Sequence, residues 1–148
     1  MERVEPSPHY LRYWDLTEKE ETGGDAISAA EVVATADAVA ASYREQDFGS
    51  YPGLTLQRAA GTPADSLGIC VAPFGWALIH TDEGFAQMIT HSDRPLDGTD
   101  QQVWFEDILE IGTVCFIDRG LAVEAIGTWM ACGGLLAAAG FTDDLFAA

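Results

Sequence analysis

The sequence predicts an α+β domain: a mostly antiparallel twisted sheet of about six strands with two helices packed on one face. Three observations predict it. Gln101–Ile111 is apolar at every second position (Val103, Phe105, Leu109, Ile111), with only Asp107 breaking the series; that is the period of a half-buried strand. Leu121–Cys132 is a helical run apolar over so wide an arc that it has to be covered on more than one side. Between residues 67 and 90, three short apolar segments are separated by Pro73-Phe74-Gly75 and Asp82-Glu83-Gly84, turn chemistry that folds a chain into an antiparallel meander.

In chain order, residues 1–8 are polar with two prolines and read as a frayed terminus. His9–Leu16 is aromatic-rich and reads as the first strand. Thr17–Gly24 is charged and ends in two glycines, which reads as a loop. Ser28-Ala29-Ala30-Glu31 fits a capping box, with Ile27 and Val32 placed to form a hydrophobic staple. The helix it opens runs to about Glu45. Its alanines favour helix and allow close approach to a neighbour. Leu54–Arg58 is a short strand. The meander strands are Leu67–Ala72, Trp76–Thr81 and Phe85–Thr90. His91–Asp100 is polar with Pro95 and Gly98 and reads as a long exposed loop. After the long strand, Val114–Ile117 reads as extended. Asp118 is placed to cap the second helix, and Gly133-Gly134 to stop it. Residues 141–148 form a mixed tail able to add an edge strand.

At 148 residues the expectation is one domain, long enough to bury a core without staples. A hydrophobic content of 48% with four Trp, four Tyr and seven Phe argues against disorder. Cys70, Cys115 and Cys132 are odd in number and form no CxxC pair, so they read as reduced core thiols. The N-terminus lacks the basic-then-apolar pattern of a secretory signal, no apolar run is long enough to span a bilayer, and the expected compartment is the cytoplasm. The charge is the loudest compositional feature: 24 Asp+Glu against 7 Lys+Arg give −17. Such a chain repels nucleic acid and anionic membranes and attracts cationic partners.

No catalytic constellation converges. His80, Asp82, Glu83 and His91 lack metal-ligand spacing, so neither a metal nor another cofactor is expected. Cys70 and His80 would pair across a hairpin as nucleophile and base, but a free cysteine on an apolar strand reads as core. Glu106 and Asp107 are adjacent on a strand and point to opposite faces. Asp107, on the core parity, implies a bulge or an ion pair with Arg58 or Arg119. There is no GxGxxG, GxxxxGK[ST] or GxSxG, and the chain reads as a non-enzyme.

The chain resembles the deaminase-immunity proteins of bacterial polymorphic toxin systems, the first-numbered immunity family. The resemblance rests on the order of elements and on loose motifs. An early helix (Ser28–Glu45) is followed by a strand (Leu54–Arg58), the Gly61-Thr62-Pro63 connection and the 67–90 meander. A strand then leads through Ile117-Asp118-Arg119-Gly120-Leu121 into a helix ending at Trp129-Met130-Ala131-Cys132-Gly133-Gly134. Where that family commonly has a proline and a final tryptophan, this chain has Leu135–Ala139 and Phe141. The resemblance implies a cytoplasmic antidote that binds a cognate toxin, often a nucleic-acid deaminase, and blocks its active site. A cationic protein toxin is then the expected partner, with no direct contact to nucleic acid or membrane.

The residues expected to carry binding are Trp104, Glu106 and Glu110, which share one parity of the long strand. Asp82 and Glu83 of the tight turn and Asp93, Asp97 and Asp100 of the polar loop join them. Aromatics amid acids on an exposed strand suit a patch for a basic partner. Two other readings fit the composition: a small-molecule-binding or enzymatic α+β domain with a pocket between sheet and helices, and an acidic nucleic-acid mimic.

Overall fold

The computed structural model describes residues 9–47, 50–58, 65–92, 102–105 and 109–143, with the backbone alone at 102–105 and 109–110. Its elements run β1 (His9–Asp15), β2 (Glu20–Ala26), α1 (Ala29–Glu45), β3 (Gly53–Gln57), β4 (Ser66–Ala72) and β5 (Gly75–Thr81). They continue with β6 (Gln87–Ile89), β7 (Gln102–Phe105), β8 (Leu109–Gly112) and α2 (Arg119–Cys132). Six strands form one antiparallel sheet in the order β2-β1-β3-β4-β5-β6; β7 and β8 form a separate antiparallel pair. The fold is α+β with two helices and a six-stranded antiparallel sheet, as the sequence pattern predicts.

Strand parity sorts the core. Leu67, Ile69 and Val71 of β4 and Trp76 and Leu78 of β5 join Leu11, Leu54 and Leu56 in one cluster, and the buried residues of both helices belong to it. The alternate residues Cys70, Ala72 and Ala77 join a second cluster with Ile89, Ile111, Val114, Cys115 and Phe116. Being covered on both sides, β4 and β5 are written as near-continuous apolar runs rather than alternating ones. On α1, Val32, Ala36, Val39, Ala40 and Tyr43 are buried, a stripe with helical spacing. On α2 the buried set is Ala122, Ala125, Ile126 and Trp129. The helices meet through small residues, for a Cβ added at Gly127 would sit 3.8 Å from that of Ala29.

The local caps form. Ser28 Oγ accepts from the Glu31 N–H at 3.3 Å, while Glu31 reaches back to the Ile27 N–H at 2.8 Å. Asp118 accepts from the Gly120 N–H, and Gly133 ends α2 at φ +74°. The staple does not form: Val32 is buried but Ile27 is 68% exposed.

Four further expectations are corrected. Thr17–Gly24 is not all loop, because Glu20–Ala26 is β2, paired along its whole length with β1. An edge strand is wet on its outer side and keeps charges there to block further pairing, so it shows no apolar alternation. Gly23 is required by close approach: a Cβ there would lie 2.6 Å from the Tyr10 hydroxyl. The long strand over Gln101–Ile111 is instead the β7–β8 pair, with Val103 opposite Ile111 and Trp104 opposite Glu110. Asp107 lies outside the described residues, and the arginines considered for it pair elsewhere: Arg58 with Asp65, Arg119 with Asp37. Val114–Ile117 is extended only at its end. Thr113–Cys115 is a 3-10 turn, and Ile117 bridges to Trp76. The strand expected over Phe85–Thr90 shortens to β6, because Phe85, at φ +65°, belongs to the turn.

Cys70 and Cys115 are buried, but Cys132 is exposed at the end of α2. Its thiol donates to the Thr128 carbonyl. The apolar arc of α2 is thus wider than the stripe it buries. The start of the tail bridges the β6 edge through paired Ile89 and Thr142 hydrogen bonds of 2.8 Å. Among the described residues, no helix is long and apolar enough to cross a membrane.

Candidate functional site: an acidic groove and a half-buried polar cluster

Of the residues expected to bind a partner, Trp104 and Glu110 are brought opposite each other as register partners in β7 and β8. Glu106, Asp93, Asp97 and Asp100 lie outside the described residues. Glu83 is exposed in the β5–β6 turn. Asp82 holds that turn: its Oδ1 accepts from the Gly84 and Ala86 N–H groups at 2.8 and 2.9 Å. Its carboxylate is already committed to backbone donors.

A concave acidic surface lies elsewhere, between the β1–β2 hairpin and α1. Two adjoining cavities of about 510 and 470 Å³ share Tyr13, Ala34 and Thr35 in their walls. Leu11, Leu16, Val39 and Ala38 supply apolar wall, and Asp15, Glu18, Asp25 and Glu31 supply acid. No Lys or Arg is among the lining residues. Trp14 stands at one end and is 42% exposed, one of three large hydrophobic side chains so exposed among the described residues. Its ring does not face into the groove: on β1 Tyr10, Arg12 and Trp14 share one parity and Leu11 and Tyr13 the other, so Trp14 projects from the face opposite the Leu11–Tyr13 wall, where it also borders a hollow with Arg12 and Glu21. Beside the groove, β2 pairs with β1 on one side only among the described residues, so β2 is an edge strand of the sheet. The sequence carried a signal for this surface that its reading passed over. Six acids fall within residues 15–31, where Lys19 is the only cation.

A second constellation sits half-buried at the sheet's end, over the buried Trp129. His9 of β1, Arg58 after β3, Asp65 before β4, His80 of β5 and Trp129 of α2 meet there. Asp65 bridges Arg58 Nε at 2.7 Å and His80 Nε2 at 3.0 Å. The Arg58 guanidinium lies 4.4 Å from the Trp129 ring centroid, and the His9 ring 5.4 Å from it. His9 Nε2 and Trp129 Nε1 are buried without a hydrogen-bond partner among the described residues. His80 thus serves an ion-paired cluster. Cys70 lies on the other parity, facing the second core cluster, so the two cannot act as nucleophile and base. Among the described residues, no three His, Cys, Asp or Glu side chains converge so as to hold a metal ion.

The cluster makes stability depend on pH. Burial disfavours the His9 cation and lowers its pKa below the ordinary 6.5; the Arg58 charge adds to this, and Asp65 opposes both. Burial pushes the Asp65 carboxyl up, but hydrogen bonds and charge from Arg58 and His80 outweigh it, and the net shift is downward. Between pH 6.5 and the lower folded value, the unfolded chain takes up a proton at His9 that the folded chain refuses. That contribution is therefore complete above pH 6.5 and lost as pH falls through the window. Asp65 acts in the same direction lower down, below its ordinary 3.8. Denaturant titrations from pH 7.5 to 5 should show parental stability falling faster than that of His9→Gln, which has no proton to accept. Parallel decline of the two proteins would remove His9 as the cause.

Compared with models of known protein families, with curated proteins and with solved structures, the chain matches none of them.

Proposed function

We propose that this protein is a cytoplasmic, non-enzymatic immunity protein that binds a cognate cationic toxin, a nucleic-acid deaminase, and neutralises it by covering its active site. The observation that carries the reading is the groove between the β1–β2 hairpin and α1. It has an apolar wall, an acidic rim and no lining cation, and the exposed Trp14 stands beside it on the outer face of β1. A basic protein that holds nucleic acid presents the complementary charge. Complementary fields raise the rate of encounter, and a desolvated aromatic anchor slows release. The resemblance in the order of elements supports the same reading.

The test is kinetic binding to a basic protein recovered by pull-down with this chain. Glu18→Lys with Asp25→Lys should slow association at low salt by roughly 10-fold or more, with the difference shrinking at high salt. Trp14→Ala should hasten dissociation, at a cost of about 2 kcal/mol, or roughly 30-fold in affinity. A parallel set at Trp104, Glu106 and Glu110 asks whether the β7–β8 pair contributes. If only that set weakens binding, the groove is not the interface. If no basic protein is recovered, the immunity reading fails.

A further inference from the structure

We infer that a separate cleft, walled by α1, the start of α2 and the turn between β4 and β5, is a binding site for a small ligand carrying one carboxylate or phosphate on an aromatic body. The cleft encloses about 310 Å³, within the range that holds a small organic molecule. It shares only Tyr43 with the acidic groove. Its floor is aromatic: Trp76 and Tyr43 are 2% and 3% exposed, and Tyr51 adds a third ring to the wall.

The charge is what sets it apart. The whole chain has seven Lys and Arg against 24 Asp and Glu, yet Arg44 and Arg119 both line this one cleft, with Asp37 as its sole acid. Two cations and one anion leave the cleft at +1 on a chain of −17. Asp37 is taken by Arg119. Arg44, seven residues after Asp37 and so on the same face of α1, has no carboxylate within ion-pair distance among the described residues. Arg119 also lies over the Trp76 ring, 5.4 Å from its centroid. That contact and the Asp37 pair fix a planar fork whose remaining donors suit a carboxylate or phosphate. A locally positive cleft on a chain of −17 favours an anion where the bulk of the acidic surface disfavours one. The partly exposed Tyr51 in the wall then offers a ring face to an aromatic body below the anionic group.

The test is titration of the full chain with phenyl phosphate and 4-hydroxybenzoate, followed by NMR at the Trp76 indole N–H and the Arg44 and Arg119 Nε–H. Benzyl alcohol, benzylamine and inorganic phosphate serve as controls. Either anion is expected to bind with a dissociation constant of about 1 mM or tighter, as befits a fragment-sized ligand. The tighter of the two names the anionic group. Arg44→Gln and Arg119→Gln, at exposed rim positions, should each weaken binding roughly 10-fold; the melting temperature should stay unchanged for Arg44→Gln and fall slightly for Arg119→Gln, which loses the Asp37 and Trp76 contacts. Trp14→Ala, beside the acidic groove, should leave it unaltered, so this site and the protein interface fail or succeed separately. The inference is overturned if neither anion shifts the Trp76 signal, if benzyl alcohol or inorganic phosphate binds as tightly as phenyl phosphate, or if both arginine variants bind like the parent.

Discussion

Trp129→Ala is expected to lower the free energy of unfolding by about 3–5 kcal/mol, the range for removing a large aromatic side chain from a packed core. Trp129 is 1% exposed and is the residue through which α2 meets the polar cluster at the end of the sheet. Its ring carries the Arg58 guanidinium on one contact and the His9 and His80 rings on others. Truncation would empty an indole's volume and strip Arg58 of its aromatic contact, worth about 0.5–2 kcal/mol depending on desolvation. Arg58 is held to Asp65 and Asp65 to His80, so the loss would spread across β3, β4 and β5 rather than stay in α2. The measurement is a denaturant titration. For a chain of this size the melting temperature should drop by roughly 6–20 °C. Trp129→Phe should cost much less, because it keeps a ring and removes an indole N–H that has no partner among the described residues. A change below about 1 kcal/mol for the alanine variant would contradict the burial.

What the sequence made legible was local. Ser28 with Glu31, Asp118 and Gly133 are helix-end signals that act within four residues of themselves, and each occupies the end it marks. The β4–β5 turn at Pro73-Phe74-Gly75 and the Asp82 turn are equally short-range. The six-strand count was also legible, but for a partly wrong reason: β2 holds the sheet place assigned to residues 101–111. Alternation in the latter marks extended chain correctly, yet nothing in a period of two says which strand it pairs with. The edge strand was invisible because Glu20–Ala26 buries almost nothing; six of its seven residues are at least partly exposed. The polar cluster was hidden by distance in sequence. His9 and Trp129 meet across 120 positions, and no spacing rule reports that. The acidic rim of the groove was visible as composition, and only the pairing of β1 with β2 turned it into a surface.

Thr90→Val should cost about 2–5 kcal/mol, although the two side chains have nearly the same shape and valine is the more apolar. Thr90 is fully buried. Its hydroxyl accepts from the Leu78 N–H at 3.0 Å and donates to the Cys115 carbonyl at 2.8 Å. One side chain thereby closes the ladder beyond β6 and ties it to the 3-10 turn that covers the second core cluster. Valine would leave two buried backbone groups without these partners, and each such loss costs about 1–3 kcal/mol. The added methyl can return roughly 1 kcal/mol at most, so desolvation decides the sign. Thr90→Ser keeps the hydroxyl and loses one methyl, for a cost of about 1 kcal/mol. Paired denaturation curves should therefore rank parent, serine, valine in falling stability. Hydrogen exchange at the Leu78 amide should quicken in the valine variant by more than its global loss explains, since that N–H loses its acceptor directly. If valine proves as stable as serine, the hydroxyl is not bridging strand and turn, and the second cluster is held by apolar contact alone.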